Sequence, residues 1–335
     1  MTEHTDIIVI GAGLAGLSAA SLLKRSGRNV MVIDKGRGLG GRLAGRRIDD
    51  ACFDHGAQFM TTRDSEFIHQ VNQWISAGVA EEWYSSFPGQ PNSHARYRGV
   101  PGMTAIAKHL AADINVTLAT RVTAVAQEKD SWIVQMDNGQ SLQSEALVIT
   151  SPVPQSLELL TSSGVVLHPE TSARLARIRY ESCIAVMAIL DQSSKIPSPG
   201  ALVINQGPVA WIADNQQKGV SQIPAVTIHA SGDFSADHFE RNRQQVGREL
   251  IEAAGPYLDA KVINFQVHGW RYSKPTVIEE SRCVLGSRST SLPPLIFAGD
   301  AFGGPRVEGA FLSGQAAAIM LLKESPAESV HNNNV

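Results

Sequence analysis

Apolar and polar positions fall into successive patterns along the chain. The first opens with Ile7 to Ile10, four apolar residues that run into a cluster of glycines, and continues with small and apolar residues at helical spacing from Leu14 to Arg25. A short β-branched run bounded by glycine predicts a buried parallel strand, and the spacing after it predicts a helix stopped at Gly27. Asn29 to Ile33, "NVMVI", predicts a second buried strand, which completes a βαβ unit with a right-handed crossover. Helical spacing returns over Phe67 to Ala77 and Met103 to Ala112. Between them the Pro/Gly-rich stretch Ser85 to Gly102 predicts a crossing between two lobes. Alternation from Val116 to Thr150, with a turn signal at Asp137-Asn138-Gly139, predicts a β-meander ending in the buried strand "ALVIT".

From about Pro154 the pattern becomes short apolar runs between loops. "CIAVMAIL", "GALVIN", "VAWIAD" and "PAVTIHAS" predict strands, Ala236 to Leu258 a single helix, and Ala260 to Pro275 a strand entering a loop. A last strand, loop and helix occupy Pro294 to Leu322. No internal repeat or low-complexity tract intervenes, and the polar end, 329–335, is expected to fray.

With 335 residues, 43% hydrophobic and 18% charged, the chain can bury one large core or two of ordinary size. A net charge of −3 offers no basic field for nucleic acid or an anionic membrane surface. No apolar stretch reaches the roughly 18 residues of a membrane-spanning helix, and the N-terminus lacks the regions of a signal peptide. Cys52, Cys183 and Cys283 are widely spaced and form no CxxC, so neither a disulfide framework nor a metal site is expected. Reduced thiols fit a cytoplasmic protein, and no obligate protein partner is evident.

Four segments carry candidate chemistry. Gly11-x-Gly13-x-x-Gly16 has a strand before it and a helix after it. Gly11 permits the tight turn, Gly13 the approach of a pyrophosphate to backbone, and Gly16 close helix–strand packing, with the helix N-terminus facing the phosphates. Asp34, 18 residues beyond Gly16, can accept hydrogen bonds from a ribose diol. This loop alone fits NAD, FAD or a simpler phosphate. Directly after it, Gly40-Gly41-Arg42 interrupts the place where a simple dehydrogenase would start a helix, and Arg42 can meet a pyrophosphate or flavin edge. "FDHGAQFMT", Phe53 to Thr61, reads as a strand end with a buried, satisfied Gln58, and His55 reads as structural. Finally Gly299-Asp300 ends a buried strand ahead of "VEGAFLSGQAAA". There Asp300 can bind a polyol, and the helix N-terminus from Val307 to Ala310 can face an electron-accepting ring; tight packing of that helix on the sheet explains its small residues equally well.

Taken in order, these segments resemble the flavoproteins with two dinucleotide-binding motifs, the group that includes monoamine and polyamine oxidases. Within it, "DHGAQFMT", "GVPGMTAIAKHLA" and "HGWRYSKP" are similar to bacterial renalase-like enzymes. The resemblance implies an α/β, Rossmann-like FAD fold with a second, mixed-sheet substrate domain. The FAD part is expected over 1–74, 98–154 and 277–328, and the substrate part over 75–97 and 155–276. The cofactor is expected to be non-covalent FAD, since no cysteine follows Gly286. Its expected contacts are Gly11, Gly13, Leu14, Ala15, Gly16, Asp34 and Lys35, then Gly41, Arg42, Gln58, Phe59 and Met60. Val122 is expected beside the adenine, with Asp300, Val307, Glu308, Gly309 and Ala310 near the flavin. The implied activity is oxidation of 2- and 6-dihydro isomers of NAD(P)H to β-NAD(P)+, with O2 reduced to hydrogen peroxide. Substrate contacts are expected from Trp211, Asn215, His229 and Arg271, without metal. Trp211 fits a core position as well as a substrate shelf, His229 a satisfied core group as well as a ligand contact, and Arg271 a substrate phosphate or a buried acid. A small amine oxidase, with Lys274 beside the flavin, and a non-catalytic flavoprotein are the alternatives.

Overall fold

The computed structural model describes residues 3–85, 94–287 and 291–324. The tail expected to fray, 329–335, and the middle of the expected crossing, 86–93, lie outside them. Two sheets organise the chain. The larger has eight strands with a parallel core in which Glu3–Ile10 lies between Val30–Ile33 and Ser141–Ile149, and Leu295–Phe297 continues beyond Ser141–Ile149. The register sets Ile10 beside Ile33 and Ile149, and Ile149 beside Phe297. Four strands therefore end at one edge, where Gly11, Asp34, Thr150 and Gly299 follow at once. In an open parallel sheet this edge is where ligands bind.

Apolar strands buried on both faces require helices on both faces. Leu14–Arg25 and Val307–Glu324 cover one face and pack closely on each other: a Cβ on Gly314 would collide with the Ala15 carbonyl. Ser18 Oγ donates to the Phe311 carbonyl at 2.8 Å, and Gln315 Nε2 donates to Ser18 Oγ at 2.8 Å. The small residues of the terminal helix thus serve helix–helix packing. The meander strands Val122–Glu128 and Ser131–Met136 hang from Ser141–Ile149, with Gly139 at φ +80° in the expected turn.

The second sheet has five antiparallel strands in the order Ala201–Val203, Val209–Asp214, Ala225–Ala230, Arg179–Leu190, Val262–Val277. Helix Arg243–Leu258 covers its outer face through Val246, Leu250 and Ala254. Two expectations are corrected here. The helix expected over 236–258 is two helices, Gly232–His238 and Arg243–Leu258, because Asn242 caps the second by accepting the N–H groups of Gln244 and Gln245. The strand expected to enter a loop by Pro275 runs on to Val277, and Pro275 is tolerated because this strand lies at the edge of the sheet. The expected boundary at 97/98 falls inside strand Arg96–Gly99, which pairs with Ala80–Tyr84 as a hairpin. No helix among the described residues is long and apolar enough to cross a membrane. Cys52, Cys183 and Cys283 are unpaired.

Candidate active site

A cavity of about 1880 Å³ runs from the carboxyl edge of the parallel sheet to the inner face of the five-stranded sheet. At the parallel-sheet end, Gly11 has φ +114°, a conformation L side chains avoid, and a Cβ there would stand 2.5 Å from Thr150 Oγ1. A Cβ on Gly16 would collide with the Gly11 carbonyl, so Gly16 serves the turn from behind and does not reach the cavity. Gly13 faces open space and caps helix Leu14–Arg25, whose N-terminus points at the cavity along with Leu14 and Ala15. Asp34 accepts the N–H groups of Ala12 and Gly36, both at 2.6 Å, and keeps lone pairs for a ligand. Glycine-only backbone, an open helix N-terminus and a fixed carboxylate together fit the pyrophosphate and ribose of FAD. Val122 lines the same end. Lys35 does too, with its ammonium 2.9 Å from Gln155 Oε1.

Midway, two expected cofactor residues meet each other. Arg42 and Asp300 form a bidentate pair, 2.6 Å in both arms, and Arg42 Nη1 also donates to the carbonyls of Tyr272 and Ser273. The pair ties the second glycine loop to the C-terminal motif, 258 residues away in sequence. Gly41, Val307 and Ala310 also line this part. Glu308 and Gly309 do not: Glu308 turns away to accept the Arg63 and Asp64 N–H groups at 2.7 and 2.8 Å, and Gly309 packs on the Gly304 backbone.

The far wall comes from "DHGAQFM" and the five-stranded sheet. Gln58, Phe59 and Met60 line it, and Gln58 Nε2 donates to the Asp54 and Gly56 carbonyls. Trp211, His229, His268 and Trp270 add rings, with Trp211 tilted 5.7 Å from Phe59. The His55 carbonyl accepts from His229 Nε2 at 3.2 Å and Trp270 Nε1 at 2.9 Å, which fixes the His229 tautomer and leaves Nδ1 as an acceptor. The His55 ring stacks on Trp270 at 5.1 Å and meets His268 at 5.0 Å. Burial pushes His229 down to about 4. Burial, with Arg46 and Arg243 nearby, pushes His268 down to about 4, and burial with the neighbouring cations and imidazoles pushes His55 down to about 3. All three rings are neutral at pH 7.

Two expected substrate residues are placed differently. Asn215 is fully buried behind the wall, where it accepts the Asp54 N–H and donates to Thr227 Oγ1 at 3.0 Å. Arg271 contributes to the rim only. Strand alternation sends Trp270 inward and Arg271 to the helix side, where it pairs with Glu240 at 2.6 Å and lies over Phe239. Lys274 also lines the cavity, 3.4 Å from Glu181. Sequence reasoning missed His268, which the two-residue period with Trp270 and Tyr272 would have found.

Residues 77–321 match the family described as flavin containing amine oxidoreductase, and residues 9–73 match an NAD(P)-binding Rossmann-like domain. Renalase of Mus musculus is 25% identical over 319 residues, 88% of this chain and 92% of that protein. Among solved structures, a putrescine oxidase redesigned for cofactor binding superposes with TM-score 0.71 at 15% identity, covering 97% of this chain and all of that one. A putative protoporphyrinogen oxidase from Exiguobacterium sp. 255-15 superposes with TM-score 0.73 at 12% identity, with the same coverage. At such identities these structures share the fold.

Proposed function

The chain belongs to the flavin-containing amine oxidoreductases, and within that family we propose that it oxidises 2- and 6-dihydro isomers of NAD(P)H to β-NAD(P)+, with O2 reduced to hydrogen peroxide. The observation that carries the substrate class is the chemistry of the far wall. It offers flat aromatic rings, neutral imidazoles and cations including Arg46 and Arg96, with Lys274 set 3.4 Å from Glu181, whereas the acids among the described lining residues are Asp34, Glu158 and Asp300. None of these acids belongs to the far wall, and Asp300 is held by Arg42. Such a surface suits a flat ring carried on an anionic dinucleotide and opposes a protonated amine. The cavity also exceeds the roughly 300–1,000 Å³ of a single-ligand site, which leaves room for a second large ligand beside FAD.

FAD, when bound, supplies the two-electron acceptor and its reoxidation by O2. The chain's own residues bind and orient. Gly11, Gly13 and the N-terminus of Leu14–Arg25 take the pyrophosphate, Asp34 the ribose and Val122 the adenine side. No covalent link is proposed: the cavity thiol, Cys183, is pushed up to about 12 by burial and is a poor nucleophile. Trp211 and Trp270 offer faces for the dihydropyridine, and His229 Nδ1 accepts from a donor on it. Because His55, His229 and His268 are neutral, they add no positive charge of their own beside the substrate ring, and the dinucleotide's phosphates offset the cations of the wall as that ring is oxidised. A dihydropyridine is already an electron donor, so the wall needs no strong base.

Anaerobic stopped-flow tests the reading. The FAD-loaded protein should be bleached by the 2- and 6-dihydro isomers much faster than by ordinary β-NADH, and should form hydrogen peroxide in air. Rapid bleaching by amines, with none by the isomers, would overturn it in favour of an amine oxidase.

A further inference from the structure

Lys218 has a side chain with no exposed surface, in a polar loop that follows strand Val209–Asp214, and it lines no part of the cavity. Its ammonium lies 2.8 Å from Asp54 Oδ2, 3.4 Å from Gln58 Oε1 and 4.8 Å from the centre of the Trp83 ring. Taking both charges out of water is costly, and an apolar pair of similar volume is often as stable or more so. Stability alone is a weak account of this pair.

Its place in the fold is a better one. Asp54 ends the strand that delivers "HGAQFM" to the cavity. Its second carboxylate oxygen accepts the Met103 N–H at 2.9 Å, and its own N–H donates to Asn215 Oδ1 at 3.3 Å. Its carbonyl accepts from Gln58 Nε2 at 2.7 Å and Thr227 Oγ1 at 2.8 Å. Every polar atom of Asp54 is therefore held. The next residue is His55, whose carbonyl receives both His229 Nε2 and Trp270 Nε1. Two cavity rings thus donate to one carbonyl, and the residue before it, Asp54, is held by Lys218, which lines no part of the cavity.

We infer that Lys218 is a positioning residue: through Asp54 and Gln58 it fixes the His55 carbonyl and so sets how His229 and Trp270 face the cavity. For its catalytic consequence this rests on the reading of that wall as the substrate's. The test uses FAD-loaded wild type, Lys218→Met and the double variant Lys218→Met/Asp54→Asn. Lys195→Met, at a surface lysine 72% exposed, is the control. The double variant removes both charges at similar volume and stays informative if the single variant does not fold. Side-chain 15N spectra report the His229 tautomer and the Trp270 indole N–H. Wild type and Lys195→Met should show His229 as the single Nε2–H tautomer, and both Lys218 variants should show mixed tautomers and a displaced indole signal. Alongside this, kcat/KM for the dihydro isomers should fall about 10- to 100-fold, the scale of a small misplacement near the reacting groups. Wild-type His229 and Trp270 signals in the double variant would overturn the inference, whatever happens to activity. The spectra need no substrate, so a wild type that oxidises no isomer defeats the proposed function while the signals still decide the role of Lys218.

Discussion

Three neutral imidazoles on one cavity wall make the fold sensitive to mild acid. His55, His229 and His268 are held well below the usual histidine value near 6.5, chiefly by burial. Arg46 faces His55 and His268, Arg243 faces His268, and Lys218 faces His229. A histidine depressed in the folded state costs nothing above pH 6.5, where both states are neutral. As pH falls below 6.5 the unfolded chain takes up protons that the folded chain refuses, so stability is lost towards the folded value. From pH 6.5 to 5, a group held near 4 loses about 2 kcal/mol by this route. His55 and His229 contribute about that each, and the more accessible His268 about half, for a loss of about 5 kcal/mol in all. In a chain of this size that corresponds to a melting point about 7 °C lower at pH 5 than at pH 7.5. Paired carboxylates such as Asp64, Glu249 and Glu279 are held below their usual range by arginines, so their contribution is lost only at lower pH and leaves this window to the imidazoles. Thermal melts of FAD-loaded wild type, His55→Gln and His229→Gln between pH 7.5 and 5 measure the effect. Each variant should flatten the slope by about 2 kcal/mol. A wild-type melting point constant within about 2 °C, or variants with the wild-type slope, would refute the reasoning.

Two further outcomes follow from local geometry. Gly16→Ala forces a methyl group against the Gly11 carbonyl; overpacking of about 1–3 kcal/mol should weaken FAD binding about 5- to 150-fold, measured by fluorescence titration. Arg271→Ala removes an exposed pair worth about 0–1 kcal/mol, so kcat/KM for the isomers should change by less than about fivefold, and a larger fall would place that guanidinium on the substrate.

The parts of the site built from backbone were the most legible in the sequence. A glycine loop between a strand and a helix, with an acid closing the next strand, specifies its own conformation within about 25 residues, so Gly11, Gly13 and Asp34 could be placed without knowing the rest of the fold. Arg42 and Asp300 were legible singly, but not as a pair, because their meeting depends on how distant strands stack. Glu308 read as facing the cofactor because it opens a helix, whereas the helix turns it towards the Arg63 and Asp64 N–H groups, 245 and 244 residues away. Two placements had signals available. Asn242 is a good N-cap and marks the break between the two helices, and strand alternation puts Arg271 opposite Trp270. Lys218 had none: "NQQKGVSQ" is as polar as a solvated loop, and only its encounter with Asp54, 164 residues away, buries it.

Charge within the cavity links the legible and illegible layers. Asp300 is neutralised by Arg42, and Asp34, which keeps lone pairs for a ribose, lies at the parallel-sheet end of the cavity, away from the far wall. Behind that wall, Asp54 is neutralised by Lys218, and so adds no net negative charge. At the sheet end Arg46 lies beside the neutral rings, Arg96 stacks over Phe59 and Tyr84, and Lys274 is 3.4 Å from Glu181. At about 6 Å and an effective dielectric near 20, an unscreened cation such as Arg46 repels a protonated amine by about 3 kcal/mol and attracts a phosphate by a similar amount, and the exposed, paired Lys274 contributes far less. An amine would have to shed its proton before approaching, whereas a dinucleotide brings compensating anions. On the proposed reading, the cations at the sheet end meet the phosphates of the dinucleotide and the rings meet its flat head.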